Sequence, residues 1–270
     1  MKGQWYIWQN IHSKPMIDTH SHIYLKDFDE DREQMMARAK DAGVEKIYLP
    51  NIDSSSIERL KNLAENDPCC IPMMGLHPGS VKADFEKELS IVIEEFEKKP
   101  KFYKAIGEIG IDLYWDKTFI EAQKYCFAKQ IELAKKHNLP IVIHCRDAFN
   151  EVFEVLEDHA DDQLFGIFHC FTGNENHAER AVELGLKLGI GGVVTFKNGG
   201  LDKVVEKLNL KDLVLETDAP YLSPSPNRGK RNEPSYLLNI AQKIADLHQI
   251  PLAELQKICT KNSLEIFKDE

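Results

Sequence analysis

The feature that most constrains the fold of this chain is a regular alternation of short apolar, β-branched runs with longer segments of helical spacing. The alternation repeats about eight times within 270 residues, a length that suits one large domain. Such a pattern indicates parallel strands joined by crossover helices. The predicted strands are Met16–Asp18, Lys46–Pro50, Ile71–Leu76, Tyr103–Ile109, Pro140–His144, Phe165–Cys170, Lys187–Gly191 and Leu213–Glu216.

Eight strand–helix units predict an α/β fold of the closed (β/α)8, TIM-like barrel type. The main alternative is an open, doubly wound sheet. A glycine-rich phosphate-binding fingerprint does not follow the first strand, which argues against a dinucleotide-binding sheet. We therefore predict a single barrel domain over residues 16–270, preceded by an N-terminal extension of residues 1–15.

Composition narrows the class of partners. The formal net charge of −10 argues against a protein that coats nucleic acid through a broad basic surface, although a nuclease remains compatible with it. The six cysteines are scattered without a CxxC pair, which predicts reduced thiols and a cytoplasmic location. Because we find neither a membrane-spanning apolar run nor a signal peptide, we expect no membrane association. A monomer is the default expectation.

Polar residues cluster where the predicted strands end. In a closed barrel the carboxyl ends of the strands form one rim, which is where active sites of this fold lie. The residues in question are His20 and His22 after the first strand, His77 after the third, Glu108 at the end of the fourth, His144 and Arg146 at the fifth, His169 at the sixth, and Glu216 and Asp218 at the eighth.

A single histidine at a strand end is more often a hydrogen-bonded structural residue than a ligand. Several of them on one rim, together with carboxylates, favour a metal site instead. The set exceeds what one tetrahedral ion requires and suits two divalent ions that share a bridging carboxylate. Nitrogen and oxygen ligands admit Zn, Mn, Fe, Ni or Mg. Cys145 and Cys170 alternate with histidines along their strands, so we expect them to pack on the other side.

Seven motifs occur in order along the chain: DTHSH, GLHP, GEIGID, HCRDA, HCFTG, ETDAPYL and RNEP. Together they closely resemble the TatD family of metal-dependent deoxyribonucleases, within the amidohydrolase superfamily. The resemblance runs from about Met16 to the carboxyl terminus. It implies a TIM-like barrel with a two-metal centre.

The resemblance also implies roles for individual residues. Asp218 would be both a ligand and the acceptor of a proton from the attacking water, and Glu108 would bridge the ions as a catalytic carboxylate. The implied ligands are His20 and His22 for one ion, Glu108 between the two, His144 and His169 for the second, and Asp218.

From these residues we expect hydrolysis of phosphodiester bonds in DNA. Trimming of single-stranded 3′ ends, a 3′–5′ exonuclease activity, suits an acidic protein better than binding of a long duplex. The predicted phosphate contacts are His77, Arg146 and Arg231. Two alternatives stay open: an amide or ester hydrolase, such as an aminoacyl-tRNA deacylase, and a non-catalytic scaffold stabilised by metal.

Overall fold

The computed structural model describes residues 15–114 and 116–269, so nearly all of the predicted N-terminal extension lies outside the described residues. Its strands follow the predicted alternation closely, which confirms the repeat that the sequence indicated. They are β1 (Met16–Asp18), β2 (Val44–Leu49), β3 (Cys70–Pro72), β4 (Ile106–Asp112), β5 (Ile141–Arg146), β6 (Gly166–Phe168), β7 (Leu186–Ile190) and β8 (Leu213–Leu215).

Helices follow the strands and pack against their outer faces through buried apolar side chains. Among the described residues, none of these helices combines the length and the hydropathy that crossing a bilayer requires. They are α1 (Arg32–Asp41), α2 (Ile57–Asn66), α3 (Phe85–Lys98), α4 (Ile120–His137), α5 (Phe149–Asp158), α6 (Glu175–Glu183), α7 (Leu201–Val205), α8 (Leu237–Leu247) and α9 (Leu252–Phe267).

The strands form one closed barrel. Neighbours in the chain pair in parallel through β1–β2–β3 and again through β4 to β8. A parallel bridge between Met74 and Ile106 joins the two sets. The barrel closes where the backbone N–H of Thr19 donates to the carbonyl oxygen of Leu215, with an N···O distance of 3.0 Å. The predicted (β/α)8, TIM-like fold is therefore confirmed.

The end of α9 closes the amino-terminal end of the barrel. The Phe267 ring stacks on Tyr48 with 3.6 Å between ring centroids, and Asp269 pairs with Lys46 and Lys104 near the starts of β2 and β4. Because apolar side chains fill the amino-terminal end of the barrel, the polar side chains lie at the carboxyl-terminal end, which is the usual place of the active site in this fold. The layer that packs against the α9 end comprises Ile17, Tyr48, Met73, Ala105, Val142, Ile167 and Val214.

Strand β4 begins three residues later than predicted and ends at Asp112. Glu108 therefore lies inside the strand, and the prediction that it ends β4 is wrong. Gly110 adopts a φ of +135°, and a Cβ there would lie 2.1 Å from the carbonyl oxygen of His144. Only glycine permits this close approach of β5, which brings His144 beside Glu108.

Candidate metal centre

The carboxylate of Glu108 is the geometric centre of the site. Its Oε2 atom lies 3.2 Å from Nε2 of His20 and 3.4 Å from Nε2 of His22, and these two nitrogens are 3.3 Å apart. Oδ1 of Asp218 lies 3.9 Å and 3.7 Å from the same two nitrogens. We call His20, His22, Asp218 and Oε2 of Glu108 the first cluster.

The other oxygen of Glu108 faces a second set of nitrogens. Oε1 lies 2.8 Å from Nδ1 of His144 and 3.5 Å from Nε2 of His77, and those nitrogens are 3.3 Å apart. We call His77, His144 and Oε1 of Glu108 the second cluster. Nε2 of His169 lies 3.9 Å from Oε1 of Glu108, and its ring stacks on that of His20 with 3.3 Å between centroids. His169 thus stands between the clusters.

The spacing of these donor atoms fits divalent cations. Zinc-type ions bind nitrogen and oxygen at ~2.0–2.2 Å, which separates the donors of a tetrahedral site by roughly 3.4 Å. Within the first cluster the separations between donor atoms run from 3.2 Å to 3.9 Å. Groupings of this kind, each with its ligand atoms within 4.8 Å of one another, also include His20 with Glu108 and His169. The residues present therefore suit the metal-dependent chemistry that the sequence predicts.

Neighbouring groups fix which imidazole nitrogen carries a proton. The Tyr24 hydroxyl donates to the carbonyl oxygen of Pro50 (2.6 Å), so it accepts from Nδ1 of His22 (2.9 Å). Nε2 of His22 is left with a lone pair that faces the first cluster. His77 is the opposite case, because its Nδ1 accepts from the N–H of Gly79 at 2.9 Å. Its Nε2 therefore carries the hydrogen and is a donor rather than a ligand.

Carboxylates stand behind the two remaining histidines. Oδ2 of Asp112 lies 3.0 Å from Nε2 of His144, and Oε1 of Glu216 lies 3.1 Å from Nδ1 of His169, the latter as an ion pair rather than an aligned hydrogen bond. Such partners hold an imidazole with its free nitrogen toward the metal. Sequence analysis missed Asp112 and Tyr24. The sequence did offer a signal for Asp112: it lies four residues after Glu108, and residues four apart in a strand share a face.

The same carboxylates give the site a negative potential. Burial lowers the pKa of His144, but Asp112 and Glu108 outweigh it and raise that pKa to about 9. Burial likewise opposes charge on His169, whereas Glu216, with Asp218 and Glu108, raises its pKa to about 10. Carboxylates that stabilise positive charge on His144 and His169 also stabilise a cation beside them. Burial holds the pKa of His20 well below its ordinary value, which leaves that imidazole neutral, as a metal ligand must be.

Asp18 ties the first and last strands together beneath the first cluster. Its buried carboxylate accepts from the N–H of Thr217 (2.9 Å), the hydroxyl of Thr217 (2.6 Å) and the N–H of His20 (3.3 Å). Asp218 follows with a left-handed φ of 57°, and its N–H donates to the carbonyl oxygen of His20 at 2.9 Å. Burial raises the pKa of Asp218 to about 6. The DTHSH and ETDAP motifs are thus held in one piece.

The RNEP motif anchors the loop between β8 and α8. Arg231 donates to both carboxylate oxygens of Asp31 (2.7 and 2.8 Å) and lies 4.3 Å from the ring centroid of Phe28. Buried Asn232 donates to the carbonyl oxygens of Thr217 (2.7 Å) and Tyr221 (2.6 Å) on either side of Asp218. Arg231 is not among the described residues that line the cavity, and its contact with substrate stays a prediction.

A cavity of about 710 Å³ opens above the two clusters. The described residues at its wall include His77 and Arg146, two of the predicted phosphate contacts. Cys145 and Cys170 also line it. Cys145 packs against the apolar core, as expected, whereas the expectation that Cys170 packs away from the site is wrong. Cys170 follows His169 with a left-handed φ of 44°, which departs from strand geometry and turns its thiol toward His169 and Glu216.

Comparison with known proteins agrees with the geometry. The family model described as TatD related DNase matches residues 17–268. The metal-dependent hydrolase YabD of Bacillus subtilis is 39% identical over 254 residues, which cover 94% of this chain and 99% of that protein. A protein of Pantoea vagans named 3′-5′ ssDNA/RNA exonuclease TatD is 31% identical over 260 residues, with 94% and 99% covered.

Solved structures agree as well. The crystal structure of YjjV, a TatD homologue from Escherichia coli K12, superimposes with a TM-score of 0.89 at 32% identity, covering 94% of this chain and 98% of that one. Matches over nearly the whole chain, together with the ligand-rich rim of a (β/α)8 barrel, lead to one conclusion. This chain belongs to the TatD family of metal-dependent hydrolases, enzymes that act on ester bonds.

Proposed function

We propose that this protein is a two-metal nuclease that removes nucleotides from the 3′ ends of single-stranded DNA. The observation that carries the proposal is the division of Glu108, whose Oε2 faces the first cluster while Oε1 faces the second. A carboxylate shared in this way is the bridge expected between two ions that act on one phosphate. The proposed ligands are His20, His22 and Asp218 for one ion, His144 and His169 for the other, and Glu108 between them.

Two divalent ions held by these residues would neutralise charge on the phosphate and lower the pKa of the attacking water. Asp218 accepts the proton of that water, because its Oδ1 lies at the first cluster, 3.7 Å from Nε2 of His22, where the water would be held. The water oxygen bonds to phosphorus, the P–O3′ bond breaks, and the leaving oxygen takes a proton from solvent.

His77 and Arg146 orient the substrate in this scheme. Nε2–H of His77 lies beside Nδ1 of His144 and Oε1 of Glu108, where it would donate to a non-bridging phosphate oxygen. Arg146 lies exposed on the cavity wall and supplies positive charge in a chain whose formal net charge is −10. Charge-assisted hydrogen bonds to phosphate are stronger than neutral ones, so these two side chains place the scissile bond.

Two further observations support the choice of substrate and compartment. The Pantoea vagans relative is named for action on single-stranded DNA and RNA from the 3′ end, so RNA is the closest competing substrate. All six cysteines are free thiols, which suits a reducing cytoplasm.

The test is cleavage of 5′-labelled single-stranded and double-stranded oligonucleotides by metal-stripped protein to which single metals are returned. We expect Asp218→Asn to lower kcat roughly 10²- to 10⁴-fold, the range for loss of a general base. Asp116→Asn, a change at a partly exposed carboxylate that pairs with Lys82, is the matched control. Near-normal rates for Asp218→Asn would remove its assigned role.

The competing ester hydrolase is tested in the same preparation. A small acyl ester and an aminoacylated RNA are offered with the same metals. Rapid loss of the acyl group without any cleavage of oligonucleotides would replace the nuclease proposal with the deacylase alternative.

A further inference from the structure

Exposed apolar side chains gather at the mouth of the cavity. Four large apolar side chains are exposed among the described residues, namely Tyr114, Tyr125, Tyr221 and Leu222. Tyr221 and Leu222 line the cavity itself, and Tyr114 contacts Arg146 on its wall. Exposed tyrosine and leucine are costly in water, so their concentration at the mouth indicates a binding surface.

The backbone of Tyr221 is held in place above the first cluster. Tyr221 is 50% exposed, and its ring centroid lies 6.1 Å from that of His22 in an edge-on arrangement. The N–H of Tyr221 donates to the carbonyl oxygen of Asp218 (2.8 Å), while its own carbonyl accepts from Asn232. The backbone of Tyr221 thus has a fixed position relative to the proposed proton acceptor, which keeps the base of the ring in one place above the first cluster.

The next residue shows that this part of the loop is under conformational constraint. Leu222 has a φ of 52°, a left-handed conformation that is rare for a residue with a branched side chain. A Cβ at Gly192 would lie 2.0 Å from the carbonyl oxygen of Leu222, so glycine is needed there. Strained backbone of this kind concentrates at ligand-binding positions. The conformation exposes Leu222 beside Tyr221 instead of burying it.

A second aromatic surface carries a positive charge. The guanidinium carbon of Arg146 lies 3.7 Å from the ring centroid of Tyr114, which is a close cation–π contact. Arg146 ends β5, three strands round the barrel from β8. The mouth of the cavity therefore offers an uncharged ring on the loop after β8 and, at the end of β5, a cation stacked on a second ring.

We propose that Tyr221 is the platform on which the 3′-terminal base of the substrate stacks, with the Arg146–Tyr114 pair receiving the nucleotide before it. The inference rests on the proposed nuclease function and adds a physical basis for its selectivity toward single-stranded 3′ ends. Bases of a single strand are free to stack on a tyrosine, whereas those of a duplex already stack on one another. Tyr221 thereby selects unpaired 3′ ends without reading their sequence.

The experiment compares two single-stranded oligonucleotides that differ only at the 3′-terminal nucleotide, one with its base and one with an abasic analogue. For the wild-type protein we expect kcat/KM to favour the complete nucleotide about 5- to 150-fold, the range for stacking of one base on an aromatic side chain. Tyr221→Ala should bring this ratio close to 1 by slowing only the complete substrate, and Tyr221→Phe should lose less than Tyr221→Ala.

Tyr125→Ala is the matched control, because Tyr125 is equally exposed but packs against Phe85 on the outer helices. Thermal unfolding checks that each variant folds. Equal slowing of both substrates by Tyr221→Ala would assign Tyr221 a structural role and overturn the inference, as would a wild-type ratio near 1.

Failure of the nuclease proposal gives a different result, namely no cleavage of any oligonucleotide with any metal. In that event fluorescence anisotropy of the same two labelled strands still tests the platform. Tighter binding of the complete strand that Tyr221→Ala abolishes would support it, and equal binding of both strands by the wild-type protein would refute it.

Discussion

The substitution Asn232→Asp tests whether the RNEP motif acts by holding the loop that carries Asp218. Asn232 is fully buried, and its side chain makes three hydrogen bonds. Nδ2 donates to the carbonyl oxygens of Thr217 and Tyr221, and Oδ1 accepts from the N–H of Glu233 (2.9 Å). The change replaces one NH2 group by oxygen and alters almost no volume.

The expected cost follows from those contacts. Both hydrogen bonds that Nδ2 donates are lost. The carbonyl oxygens of Thr217 and Tyr221 then face a carboxylate oxygen in place of the NH2 group, which lies 2.7 Å and 2.6 Å from them. Each buried group left unsatisfied costs ~1–3 kcal/mol, so the free energy of unfolding should fall by roughly 2–6 kcal/mol. For a chain of this size that corresponds to a decrease in Tm of roughly 4–24 °C.

Activity should fall as well, even at temperatures where the variant is fully folded. The two carbonyls held by Asn232 flank Asp218, and a small misplacement of a catalytic group costs roughly 10²-fold in rate. Thermal unfolding and kcat on a single-stranded oligonucleotide measure the two effects separately. Asn227→Asp, the same change at a half-buried position in the same loop, is the control. An unchanged Tm together with unchanged kcat for Asn232→Asp would refute the anchoring role.

Three further predictions concern the metal centre and the surface around it. Asp112→Asn should weaken metal binding roughly 10- to 100-fold, because the carboxylate of Asp112 orients His144; competition with a chelator measures the affinity. Asp116→Asn should bind metal like the wild-type protein, and equal affinities for the two variants would contradict the role of Asp112. Chelation should abolish activity yet leave the circular dichroism spectrum unchanged, since the apolar core forms without the ions; loss of the helical signal would instead favour the metal-stabilised scaffold. Arg231 and a neighbouring arginine lower the pKa of Asp31 to about 2, below its unfolded value of ~3.9. The ion pair therefore stabilises the fold at pH values above that unfolded pKa, and its contribution is lost as the pH falls toward 2. The difference in Tm between the wild-type protein and Asp31→Asn should accordingly disappear between about pH 4 and pH 2. A difference that persists at pH 2 would contradict this role of the ion pair.

The sequence alone determined the architecture because barrel formation depends on local patterns. Each short apolar run followed by a helical segment encodes one strand–helix unit, and eight such units close on themselves. The same periodicity placed His20, His22, His144 and His169 near strand ends, and the structure brings all four within 4 Å of Glu108 or of one another.

The tertiary structure decided what stands behind and around those groups. The register of β4 against β5 put Glu108 inside its strand and Asp112 against His144, a choice that depends on how closely Gly110 lets two strands approach. The partner of Arg231 was likewise settled in three dimensions, since Asp31 lies 200 residues away in the chain. A pattern of apolar residues fixes which face a side chain occupies, but the partner it finds there depends on distances between segments that only the folded chain brings together.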